Sequence, residues 1–138
     1  KNLNGATYVL ISALLCVIIF PKVIFITAFS ILIISDSLAA LIGRKFGKHR
    51  FLAKSLEGTL AFFFSASIVI LFTPKVEGLW NEYLIGIIAA AVGAIIENIS
   101  FGLADDNLSI PLSIGLTMWV LYYLISPEIQ LTLPNVPR

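Results

Sequence analysis

Five apolar runs separated by short polar connections dominate the chain: Tyr8 to Phe20, Val23 to Ile42, Leu56 to Thr73, Tyr83 to Leu103 and Leu108 to Ile125. A helix needs about 20 residues to cross the hydrocarbon core of a bilayer, with a range near 17–25. Four of the runs meet that length. The first meets it only if its helix starts near Gly5, and Pro21-Lys22 leaves a very tight turn before the second. The chain is 59% hydrophobic and 12% charged, with a mean hydropathy of +1.00. Soluble domains carry about 25% charged residues, and a soluble fold of 138 residues could not bury so much apolar surface. The expected fold is all-α, a polytopic transmembrane bundle of about five spanning helices forming one domain over 1–138. Cys16 is the single cysteine, so it makes no intramolecular disulfide and reads as a small buried hydrophobe. An apolar run follows Lys1 almost at once, and the expectation is that helices upstream are missing.

The connections set the orientation. Residues 44–54 (RKFGKHRFLAK) hold five Lys/Arg and no acid, and the positive-inside rule makes this a cytoplasmic loop. Alternation then places the N-terminus and Asp105-Asp106-Asn107 on the cytoplasmic side, and Thr73–Glu82 and the C-terminus outside. Lys1 and the loop give six Lys/Arg inside; Lys22, Lys75 and Arg138 give three outside. Pro127, Pro134 and Pro137 prevent residues 126–138 from continuing a helix, and a flexible tail is expected there.

An ionisable group within a membrane span costs at least about 2.5–3.5 kcal/mol at the helix centre and persists where it faces a polar cavity or a partner. Asp36, Glu57, Glu97, Asp105 and Asp106 all fall in the cytoplasmic half of this topology, whereas Glu77, Glu82 and Glu128 fall in loops or tails. At 100° per residue, Asn98 and Asp105 nearly superimpose and Glu97 lies close by, provided the fourth helix reaches that far. Carboxylates with Asn, and no His or Cys cluster, suit a hard cation such as Mg²⁺, which in turn suits phosphates. The alternative is structural pairing of these acids with Arg44, Lys45 or Lys54. Glu57 sits in a first helical turn, where an acid also complements the macrodipole.

Ser55 is a good N-cap residue, and a helix N-terminus preceded by Lys54 is a ready anion site. Gly58 lets a ligand or another helix approach the backbone. Gly43 and Gly47 allow a compact turn around Arg44 and Lys45. The stretch from Gly43 to His49 is no Walker A loop: three residues separate the glycines, and His49 stands where Ser or Thr should be. His49 reads as solvated, and Lys48 and Arg50 as attracted to anionic headgroups. Gly86, Gly93, Gly102 and Gly115 mark close helix packing. Phe62-Phe63-Phe64 and Trp119-Tyr122-Tyr123 read as facing lipid or the interface.

Several of these segments together resemble the polyprenol kinase family: Asp36-Ser-Leu-Ala-Ala-Leu-Ile-Gly43-Arg44-Lys-Phe-Gly47, Lys54-Ser55-Leu-Glu57-Gly58-Thr59, Glu97, Asp105-Asp106-Asn107 and Pro111, with the opening Asn4-Gly5-Ala-Thr7-Tyr8. That family comprises dolichol kinases, phytol kinases and CTP-dependent diacylglycerol kinases, and is related to the phosphatidate cytidylyltransferases. The resemblance implies CTP as co-substrate, Mg²⁺ or another divalent cation, and a lipid alcohol as acceptor. It implies Asp36, Gly43, Arg44, Lys54, Ser55, Glu57 and Gly58 on the nucleotide-phosphate side. Glu97, Asp105, Asp106 and Asn107 fall on the metal and catalytic side, with Asp36 or Asp106 as base. The cytidylyltransferases end in a glycine-rich His and Asp-Arg signature that this chain lacks, which favours the kinase. The partners expected are a membrane lipid and a nucleoside triphosphate, not nucleic acid; a homo-oligomer stays open. The rival readings are a cytidylyltransferase, an ion-coupled transporter and a non-enzymatic membrane component. The apolar outer half of the bundle counts against a transporter.

Overall fold

A computed structural model describes residues 4–99 and 105–132. Lys1, Gly102, Leu103, Pro134, Pro137 and Arg138 lie outside the described residues. Among the described residues the fold is all-α, with five helical rods. Helix α1 (Gly5–Ile19) is followed across Phe20 and Pro21 by a continuous rod, Lys22–Phe46, made of α2 (Lys22–Ile31), a π-helical turn (Leu32–Asp36) and α3 (Ser37–Phe46). Helices α4 (Leu56–Phe72), α5 (Trp80–Ile99) and α6 (Asp106–Ile125) complete the bundle. Lys22–Phe46, α5 and α6 are long and apolar enough to cross a membrane, and α1 and α4 are shorter apolar helices. This is the make-up of an integral membrane protein.

The first rod begins at Gly5, where Asn4 caps it by accepting from the Thr7 amide at 2.9 Å. The expected stripe of Glu97, Asn98 and Asp105 on one helix does not form. Asp105 has extended backbone (φ −65, ψ 138) and is the N-cap of α6 rather than a residue of α5. A small hairpin, β1 (Arg50–Phe51) and β2 (Lys54–Ser55), pairs antiparallel within the basic loop, with Arg50 opposite Ser55 and Phe51 opposite Lys54. Its turn holds Leu52 at φ 50, a left-handed conformation uncommon outside glycine.

Helix α4 lies between α3 and α5, α5 packs along α6, and α1 and α2 close on α6. Phe62, Ile24, Ile31, Ile70, Ile85, Ile110 and Ile114 fill the interior. Leu10, Ile18, Phe72 and Trp80 are turned outward, as lipid contact requires. Small residues set the spacing. A Cβ added at Gly86 would stand 2.8 Å from Ile70, and one at Gly93 2.7 Å from Ile114; at Gly115 it would strike the Phe20 ring. Neither aromatic cluster faces outward as a unit. Phe62 is fully buried and Phe64 exposed; Tyr122 is buried while Tyr123 is exposed. In the tail, residues 126–132 are non-helical, and Ser126 and Ile129 are buried.

The polar loops gather at two ends. A Cβ at Gly5 would lie 3.5 Å from Asn107, and Lys54 bonds Asp106, so the start of α1, the basic loop and the start of α6 share one end. At the other end Glu82 is completely buried, not solvated in a loop as its sequence context suggests. Its carboxylate accepts the backbone N–H groups of Val76, Glu77, Gly78 and Leu79 at 2.7–3.2 Å.

Candidate active site

The site forms where α3 and α4 cross. A Cβ at Gly58 would stand 3.1 Å from the Ala39 carbonyl oxygen and 3.4 Å from Gly43 Cα, so the two backbones are nearly in contact. Glycine suits such a crossing, because any Cβ would push on the facing backbone. Ser55 caps α4, its hydroxyl accepting from the Gly58 amide at 3.2 Å, which aims the positive end of that helix into the space beside α3.

That space is a cavity of about 440 Å³. Helix α3 and the π-turn supply Asp36, Ala39, Ala40, Gly43 and Arg44; the hairpin and α4 supply Lys54, Ser55 and Gly58; α5 and α6 supply Glu97 and Asp106. The π-turn ends at Asp36, and such bulges widen a helix locally, commonly at functional sites.

Lys54 is the hub. Its ammonium donates to Glu97 Oε1 at 2.7 Å and to Asp106 Oδ2 at 2.8 Å. Burial alone would lower its pKa, but the hydrogen bonds to Asp106 and Glu97 and their charges outweigh it and hold the amine above its ordinary value. The backbone beneath it is pinned separately. Asn98 Oδ1 accepts the Ala53 and Lys54 amides at 3.0 and 3.2 Å, and the Asn98 amide donates to the Thr59 hydroxyl. Asn98 is fully buried, so the strained Leu52 turn is held from inside the bundle.

Eight of the residues singled out from sequence, Asp36, Gly43, Arg44, Lys54, Ser55, Gly58, Glu97 and Asp106, come together at this cavity. Three do not line it. Asp105 caps α6, its Oδ1 accepting from the Asn107 amide and from the Asn107 side chain at 3.0 and 2.6 Å, so this pair is engaged with itself. Glu57 turns to His49, with Oε1 2.7 Å from Nδ1 and both oxygens receiving the His49 backbone N–H. His49 therefore has a partner despite its solvated sequence setting. Asn98, placed by the sequence beside Glu97 as part of a polar stripe, instead clamps the hairpin backbone. Its signal was an amide beside Glu97 inside an otherwise apolar helix.

The donor set is compatible with a hard cation. Glu97 Oε2 and Asp106 Oδ1 are buried and have no hydrogen-bond partner, which leaves two anionic oxygens facing unmet demand. No cluster of three or more His, Cys, Asp or Glu in metal-binding arrangement occurs among the described residues, so the protein would supply two carboxylates and leave other positions to water or phosphate, the usual habit of Mg²⁺.

The chain is 36% identical over 124 residues to an uncharacterized protein of Rickettsia prowazekii, covering 89% of this chain and 61% of that protein. It is 37% identical over 95 residues to the dolichol kinase of Schizosaccharomyces pombe, covering 63% of this chain and 17% of the kinase. An uncharacterized protein of Methanocaldococcus jannaschii is 37% identical over 114 residues, with 78% of this chain and 54% of that protein covered. The chain thus spans less than two thirds of each of these relatives. No protein-family model matches it, and no solved structure does.

Proposed function

We propose that this chain is the catalytic part of a membrane-embedded, CTP-dependent lipid kinase that transfers a phosphoryl group to a lipid alcohol. The observation that carries this reading is the convergence of Lys54, Glu97 and Asp106 with Arg44, Asp36 and the N-terminus of α4 on one cavity. The likeness to a dolichol kinase supports it. In the proposed orientation, this end of the bundle is cytoplasmic, where CTP is available, because the Lys/Arg-rich loop belongs to it.

Phosphoryl transfer needs positioning and charge neutralisation more than covalent help. Arg44, with the positive end of the α4 dipole beside it, receives the nucleotide phosphates. Glu97 and Asp106 would hold a divalent cation, whose charge would offset that of the transferring phosphates. Asp36 orients the lipid hydroxyl and accepts its proton as the oxygen bonds to the γ-phosphorus. The bond from that phosphorus to the β-phosphate oxygen breaks, and CDP leaves with the electron pair. The acceptor's chain stays in the bilayer beside the bundle.

The test uses full-length protein in detergent with Mg²⁺, CTP labelled at either the α- or the γ-phosphate, and a panel of polyprenol, phytol, diacylglycerol and phosphatidate. Label from the γ-position on a lipid alcohol is the expected result. Label from the α-position on phosphatidate would establish a cytidylyltransferase instead, and no labelled lipid would remove the enzyme reading.

A further inference from the structure

We propose that Lys54 is a displaceable counter-ion: its ammonium bridges Glu97 and Asp106 until a divalent cation takes that position, and the freed ammonium then becomes a ligand for phosphate in the same cavity. This rests on the reading above that the two carboxylates hold a cation.

Charge and hydrogen bonding are mismatched in the bridged arrangement. Lys54 uses one oxygen of each carboxylate, at 2.7 and 2.8 Å. The second oxygens, Glu97 Oε2 and Asp106 Oδ1, are buried and unpartnered. Glu97 is 3% exposed, so water reaches it poorly. One positive charge bridges two negative ones, and the cavity adds one group of each sign, Asp36 and Arg44. A divalent cation with its coordinated waters meets both deficits, because it matches the charge and offers ligand positions to all four oxygens.

The way out is also built. Asn98 fixes the backbone N–H groups of Ala53 and Lys54, so the hairpin stays in place and only the side chain moves. The Lys54 side chain is 34% exposed against 4% for Glu97. Lysine's flexible four-carbon stem carries a point charge that re-aims easily. Swinging from Glu97 and Asp106, the ammonium remains in a cavity that also holds Arg44 and the positive end of the α4 dipole, which together favour an anion. Cation and phosphate binding are therefore coupled through one side chain, and the coupling is reciprocal.

The experiment measures Mn²⁺ binding by electron paramagnetic resonance on the full-length protein and on Lys54→Met, without nucleotide. Removing the competing ammonium is expected to tighten Mn²⁺ binding at least about tenfold, a shift of about 1.4 kcal/mol. In the unmutated protein, added Mn²⁺ is expected to increase acylation of the Lys54 amine, read by peptide mass spectrometry. Equal or weaker Mn²⁺ binding in Lys54→Met would overturn the displacement while leaving the cation site standing. Mn²⁺ binding to neither protein would remove the cation site itself and this inference with it. If Lys54→Met does not fold, the acylation decides: an increase supports displacement, and no change or protection refutes it.

Discussion

The Tyr122 hydroxyl donates to Glu82 Oε2 across 3.0 Å, joining α6 to the first turn of α5 at the end of the bundle opposite the Lys54 cavity. Glu82 is entirely buried, and its other contacts are four consecutive backbone N–H groups of the loop before α5. The carboxylate therefore plays the part a cap plays, but for a whole loop. Glu82→Ala leaves those amides and Tyr122 unpaired, and a loss of about 3–5 kcal/mol is expected. Thermal unfolding in detergent should show a large drop in midpoint, while Tyr122→Phe, which removes one bond, costs about 1–2 kcal/mol. Similar midpoints for Glu82→Ala and the unmutated protein would show that the loop does not depend on this carboxylate.

Asn98 does not itself line the cavity. Its side chain bonds both Ala53 and Lys54 amides and the Thr59 hydroxyl, so it registers the hairpin against α5. Asn98→Leu fills the space but satisfies none of these groups. Turnover is expected to fall about tenfold or more, equivalent to one or two hydrogen bonds of about 1 kcal/mol each, with the protein still inserted and helical by circular dichroism. Steady-state kinetics with CTP provide the check, and unchanged kinetics would mean that the hairpin holds its shape without this clamp.

The rods follow the apolar runs because helices and membrane spans share one requirement, an uninterrupted apolar stretch of the right length. Which face points inward was not legible. In a bilayer both faces are apolar, so Phe62 and Phe64, or Tyr122 and Tyr123, carry no pattern that separates core from lipid. The π-turn over Leu32–Asp36 is equally silent, since one extra residue per turn leaves no trace in an unbroken apolar run. The hairpin lacks the Asn-Gly or Gly-rich turn that announces such elements and instead forces Leu52 to φ 50. Much of the candidate site was legible, because an embedded carboxylate such as Glu97 is costly unless something answers it. Glu57 and Asp105 went elsewhere for a local reason: each found a nearer backbone partner.

Glu57 and His49 separate a side-chain role from a backbone role. Both Glu57 oxygens receive the His49 main-chain N–H, at 3.2 and 3.3 Å, in addition to the ring contact. His49→Ala keeps the main-chain bond and loses only an exposed, solvent-screened pair, so turnover within about twofold of the unmutated protein is expected. Glu57→Ala removes the brace from the segment between α3 and α4, which carries Lys54, and should reduce turnover more strongly. Protease nicking between 44 and 54 is a second readout; faster nicking is expected in Glu57→Ala alone. Equal nicking in the two variants would place the brace elsewhere.

The crossing of α3 over α4 predicts a graded steric series. A Cβ at Gly58 meets the Ala39 carbonyl oxygen across the crossing at 3.1 Å, a backbone contact relieved by shifting the helices apart, and the Ser55 hydroxyl of its own helix at 3.1 Å. Gly58→Ala should cost about 1–3 kcal/mol as an overpacking change, and Gly58→Val more. Both should lose CTP-dependent turnover before they lose insertion, because separation of these helices reshapes the cavity first. A Gly58→Val protein with full turnover would show that the close approach is not needed for the site.

Asp105 and Asp106 are adjacent carboxylates with separate partners, which makes them the sharpest test of the site. Asp105 holds the start of α6 through the Asn107 amide, a task that asparagine performs as well as aspartate. Asp106 reaches the Lys54 ammonium in the cavity and keeps Oδ1 buried and unpartnered. Asp105→Asn is therefore expected to keep most of its turnover, and Asp105→Ala to lose about 1 kcal/mol of stability with the cap. Asp106→Asn removes the charge that pairs with Lys54 and, in the proposed mechanism, a cation ligand. Turnover should fall at least about a hundredfold, or about 2.7 kcal/mol in the barrier, while the unfolding midpoint changes little. Side-by-side assays of the three variants check this. Loss of turnover in Asp105→Asn equal to that in Asp106→Asn would return Asp105 to the cation site, and full activity in Asp106→Asn would remove Asp106 from it.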